Sequence, residues 1–109
     1  MKYIIVWTLT FNDKWNALTR AQRMELQNES LPEVIEKYQH SIRLRTADAE
    51  GFSADFQDII IIETANLKDY YCMLQDMRNS KVLSESYLKI TNIFIGVENA
   101  HEVYQSNAI

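Results

Sequence analysis

Asp58-Ile59-Ile60-Ile61-Ile62-Glu63 is the stretch whose reading decides the fold. β-Branched residues suit a pleated strand, and a run this short between charged residues is a strand rather than a buried helix. Successive strand side chains point to opposite faces, so four consecutive isoleucines put apolar surface on both. A sheet built around this strand has to be covered twice.

Upstream, Tyr3 to Phe11 reads as a strand with Tyr3, Ile5, Trp7, Leu9 and Phe11 on one face and the half-polar set Ile4, Val6, Thr8 and Thr10 on the other. Asn12-Asp13 breaks it. Thr19 with Gln22 has the capping-box spacing that starts a helix, and Ser30 with Glu33 repeats it around Pro32, which predicts two helices broken near Glu29. A strand follows from Ser41, with Ile42 and Leu44 on one face and Arg43 and Arg45 on the other. Asp48 and Glu50 share the parity of the apolar pair, and Gly51-Phe52-Ser53 turns the chain.

Downstream of the isoleucines, Asn66 caps a helix to about Met77, carried by Leu67, Tyr70, Tyr71, Leu74 and Met77. A short turn or helix near Ser80 to Ser84 leads to a strand from Tyr87 to Ile95, with Leu88, Ile90 and Phe94 facing opposite to Ile93 and Ile95. A last helical turn is expected around Glu98 to Tyr104. The order is βαββαβ, the split arrangement of ferredoxin-like α+β folds, with an antiparallel sheet and both helical layers on one face. The other face, left bare, exceeds the apolar patch a soluble monomer usually shows, so pairing with a second copy is expected.

The chain has 109 residues, 47% of them hydrophobic, and a net charge of −4, which fits one domain over residues 1–109 with its own core. Its scattered Lys and Arg give no basic patch for nucleic acid, and no apolar run is long enough for a membrane span. Cys72 is the single cysteine, so packing rather than a disulfide holds the fold, consistent with a reducing, cytoplasmic setting. Zinc-type spacing, an EF-hand and a Gly-rich phosphate loop are all missing, so no metal or cofactor is expected.

Three segments resemble the darcynin family, small proteins of undefined biochemical function: Trp15-Asn16-Ala17-Leu18-Thr19-Arg20, Arg43 through Ser53, and Glu63 through Tyr71. Tyr87 through Ile93 and Gly96-Val97-Glu98 extend the likeness to nearly the whole chain. The resemblance implies a dimeric α+β barrel, an architecture shared with cofactor-free quinol monooxygenases, muconolactone isomerases and polyketide cyclases. Those proteins hold small apolar or aromatic ligands between sheet and helices. It supplies no catalytic motif to transfer.

Arg43, Arg45, Asp48 and Glu50 are the densest charged group near a strand end. Asp48 and Glu50, about 7 Å apart along a regular strand, form a candidate acid–base pair with Arg45 as anion stabiliser; the plainer reading is a rim of ion pairs. His40, at the helix–strand junction, is a candidate acid or base and joins Arg43 as a candidate ligand contact, although solvation is commoner there. Trp7 and Tyr71 are candidate walls for an aromatic ligand, against ordinary core packing. Two functions compete: a small-molecule carrier or cofactor-independent enzyme using an inner cavity, and a non-catalytic dimeric interaction module. A cavity of about 300 Å³ or more favours the first.

Overall fold

In the computed structural model, which describes residues 1–107, the isoleucine run lies inside strand β3 (Asp58–Thr64), between β2 (Ile42–Asp48) and β1 (Tyr3–Phe11). β4 (Leu88–Val97) flanks β1 on the other side, and every neighbouring pair is antiparallel, in the order β2-β3-β1-β4. Between the strands run α1 (Asp13–Asn16), α2 (Arg20–Lys37), α3 (Leu67–Arg78) and α4 (Lys81–Ser84), with α5 (Ala100–Asn107) after β4. This is the expected ferredoxin-like α+β arrangement.

Register assigns the faces, because directly paired residues point the same way. Trp7 pairs with Ile60 and Ile5 with Ile62, while Leu44 pairs with Ile62 from the other side. This face meets α2 and α3, and its core joins Ile5, Trp7, Ile42 and Ile62 to Tyr38, Met73, Leu74 and Met77. A second cluster at the Leu9 end gathers Trp15, Leu26, Val82 and Leu88. The opposite face carries Ile4, Val6, Ile59, Ile61 and Phe94, with Phe94 60% exposed. The isoleucines do divide two and two between the faces.

Helix ends follow the sequence signals. Thr19 Oγ1 accepts from the Gln22 amide at 3.2 Å while Gln22 Oε1 accepts from the Thr19 amide at 2.8 Å, a complete capping box. Asn66 Oδ1 likewise accepts from the Asp69 amide. The C-terminus of α2 is pinned to α3 where the buried Tyr38 hydroxyl donates to Asp76 at 2.6 Å; this bond, with help from Lys37, holds the Asp76 carboxyl below its usual range.

Two expectations need correction. The expected break near Glu29 is absent, and α2 runs unbroken with Pro32 inside it. Pro32 and Asn28 both lie on the exposed side, so the Asn28 carbonyl deprived of its partner stays open to water, which lowers the cost of the proline. Strand β4 does not keep one parity: Thr8 pairs with Asn92 but Leu9 pairs with Ile90, leaving Thr91 as a bulge. Leu88, Ile90, Ile93 and Ile95 therefore share the helix-side face and Phe94 the other, instead of Phe94 joining Leu88 and Ile90. The Thr91 hydroxyl lies 2.8 Å from that of Thr8, and Asn92 Nδ2 donates to the same Thr8 oxygen at 3.1 Å, which fixes the bulge in place. The Asn12-Asp13 breaker ends β1 as expected and also opens α1, with Asn12 Oδ1 accepting from the Trp15 amide.

Candidate functional site

A cavity of about 190 Å³ lies between the sheet and α2, α3 and α4. Alternation supplies its floor: Trp7, Leu9 and Phe11 from β1, Ile60 and Asp58 from β3, Leu44 and Thr46 from β2. The helices supply its roof, chiefly Leu31, Met77, Val82 and Leu83. Trp7 is 1% exposed, and its indole N–H donates to the Tyr70 hydroxyl at 2.9 Å, so the ring is fixed in orientation and its one polar group is satisfied. Phe11, Leu83, Leu88 and Ile90 also line an open cleft of about 650 Å³ beside the cavity, rimmed by Arg78 and Lys89.

Asp58 is the charged residue of the cavity lining. It pairs with Leu9 on one side and Asp48 on the other, so both carboxylates stand on the helix-side face. Desolvation, then the charges of Asp48 and Glu50, and last a hydrogen bond with Asp48 push the Asp58 carboxyl above its ordinary value. A raised folded-state pKa means that the folded protein holds the proton more tightly than the unfolded chain. Its stabilising contribution is complete below the unfolded value of about 3.9 and is lost as pH rises through the folded one. Asp58→Asn is therefore expected to melt higher than the parent at pH 7 and to lose that advantage near pH 3; equal differences at both pH values would contradict this.

The structure brings some of the sequence candidates together and parts others. Asp48 and Glu50 lie near enough to Asp58 for their charges to act on it, but neither lines the cavity; the acid that does is Asp58, which the sequence reading passed over as a strand boundary. Its parity with Ile60 and Ile62 was the available signal. Arg45 does not share that cleft: it points to the opposite sheet face and meets Glu63 at 3.5 Å, in an exposed chain of charges with Lys2 and Glu98. Arg43 shares its face. Along the strand Arg43 is about 17 Å from Asp48 by the rise per residue, and with His40 it lines a shallow hollow at the other end of the sheet. There His40 Nε2 lies 3.4 Å from Asp69, which also accepts from the Ser41 hydroxyl at 2.6 Å. Both protein groups meet the carboxylate rather than each other, so no nucleophile–base pair forms. Tyr71 is 62% exposed on the outside of α3; its neighbour Tyr70 is the one that reaches Trp7. Among the described residues there is no cluster of metal-binding side chains and no helix long and apolar enough to cross a membrane.

The four-stranded antiparallel sheet and its helices define a ferredoxin-like α+β fold. Solved structures agree on the fold: a heme-binding protein from Thermus thermophilus superposes with a TM-score of 0.80 at 19% identity, over 95% of this chain and 44% of that one. Chlorite dismutase from Candidatus Nitrospira defluvii, in complex with imidazole, gives 0.77 at 17% identity, over 88% of this chain and 39% of the other. The chain thus spans about two fifths of the length of these structures.

The chain belongs to the Darcynin family, described as a domain of unknown function, whose model matches residues 2–108. Darcynin 1 of Acinetobacter baumannii is 33% identical over 90 residues, covering 83% of this chain and 99% of the relative. Darcynin of Chromobacterium violaceum is 31% identical over 65 residues, covering 60% and 82%.

The heme of the Thermus protein does not fit this cavity. Methionine ligates haem iron as the partner of a His, and otherwise His, Cys or Tyr holds it; the lining offers Met77 but no His, Cys or Tyr among the described residues. At about 190 Å³ the space is also below the roughly 300 Å³ at which drug-sized ligands begin.

Proposed function

We propose that this protein binds a small apolar or aromatic molecule in the cavity between its sheet and helices, as a carrier or a cofactor-independent enzyme, and works as a homodimer. The observation that carries the reading is a floor and roof of apolar side chains around one carboxylate, the composition of a ligand site. The cavity is smaller than the volume set from sequence for a drug-sized ligand, which limits the occupant to about one ring; an apolar cavity of about 150 Å³ accepts benzene. Turnover of a bound ring would use Asp58 as proton acceptor, with Asp48 and Glu50 setting its charge. The half-buried free thiol of Cys72 suits the cytoplasm.

The second sheet face supports the dimer reading. Ile4, Val6, Ile59, Ile61 and Phe94 share it, and a second copy is a partner with the same apolar area to cover.

Toluene tests the site. A ligand that binds only the folded state raises stability by about 2.7 kcal/mol at one hundred times its Kd, so the melting temperature should climb saturably with toluene. Leu31→Trp, which fills the cavity from α2, should abolish the rise. An unchanged melting temperature in the parent protein would refute the proposal.

A further inference from the structure

We propose that the ligand of this cavity is a small apolar amine, a single ring or short chain carrying one cationic nitrogen, with Asp58 as its acceptor. This rests on the ligand-binding reading above and narrows it to a chemical class. Walls such as Leu9, Leu31, Ile60, Met77 and Val82 offer carbon and sulfur only. Trp7 adds no free donor, because its N–H is already given to Tyr70. The polar lining groups are Gln27, Thr46 and Asp58, of which Asp58 alone is charged, and no Lys, Arg or His lines the cavity among the described residues.

Charge decides between an acid and a base of the same shape. A carboxylate ligand would enter an apolar space with no cation to meet it and with Asp58 and its cross-strand neighbour Asp48 opposing it. Arg45 lies across the sheet, and Arg78 and Lys89 stand on the neighbouring open cleft. An ammonium supplies the missing donor, forms a charge-assisted hydrogen bond with Asp58, and relieves the repulsion among the carboxylates. Asp58 is kept above its usual range by burial and by these same neighbours, a cost that a bound cation offsets.

The test titrates the full chain with benzylamine, toluene and benzoate, matched in ring size, by calorimetry at pH 7 in physiological salt. Benzylamine is expected to bind about tenfold or more tighter than toluene, the worth of one hydrogen bond to a charged group, and benzoate not at all. Asp58→Asn should remove the preference, read as the ratio of benzylamine to toluene affinity within that variant. If that variant does not fold, carbon NMR of the Asp58 carboxyl in the parent protein replaces it, with a shift expected on adding benzylamine and not toluene. Toluene binding as tightly as benzylamine, a preference that survives in Asp58→Asn, a carboxyl signal that ignores benzylamine, or benzoate as the best ligand would overturn the amine while sparing the cavity. Binding of none of the three would overturn both.

Discussion

Trp7→Ala is expected to cost about 3–5 kcal/mol, the range for removing a buried large aromatic, and to shift the denaturant midpoint accordingly. Trp7 sits at the junction of the main core and the cavity, pairs across the sheet with Ile60 and Ile93, and is almost wholly buried. Its loss also strips the Tyr70 hydroxyl of its donor. Since small domains hold only about 5–15 kcal/mol in total, this one change removes a large fraction of the stability. Trp7→Phe separates the contributions: it retains a ring but deletes the N–H, and should cost on the order of 1 kcal/mol from the hydrogen bond on top of the smaller volume. Tyr71→Ala on the outer side of α3 is the control, expected within about 0.5 kcal/mol of the parent. A Trp7→Ala protein as stable as the Tyr71→Ala protein would show that the ring does not anchor the core.

Phe94→Glu is expected to abolish the proposed homodimer with little effect on the fold of the protomer. Phe94 is exposed within one protomer and stands beside Val6, with Ile61 beyond it on the same face. In a face-to-face dimer the new carboxylate would be buried without a partner, which costs about 3–5 kcal/mol, enough to weaken association by more than a hundredfold. Sedimentation velocity of both proteins over a range of concentrations checks this. A parent chain that sediments as a monomer throughout, or a variant that dimerises as well as the parent, would contradict the assigned interface.

The architecture was legible because alternation is a strong signal when β-branched residues sustain it. Ile59 through Ile62 announce a strand covered on both faces, and Thr19–Gln22 and Asn66 announce helix starts. What the sequence hid was any change of period. The bulge at Thr91 depends on hydroxyl and amide contacts with Thr8, more than eighty positions away, so a count along β4 alone put Phe94 on the wrong face. Pro32 looked like a boundary because its local cost is visible, whereas the exposure that makes the cost tolerable is a property of the folded helix. The same limit applies to the site. Asp48 and Glu50 stood out as a charged pair, but Asp58 joins them only through β2–β3 pairing, and Arg45 leaves them by simple alternation. The adjacent tyrosines show how much one position matters on a helix: Tyr70 reaches Trp7, and Tyr71 faces solvent.

The central claim is that the space between sheet and helices receives a ligand, and methyl-resolved NMR during a toluene titration tests it most directly. Saturable shifts at Leu31, Ile60, Val82 and Leu83, with Ile59 and Ile61 on the other sheet face unmoved, are the expected result. Shifts confined to Ile59 and Ile61, or none at all, would contradict it.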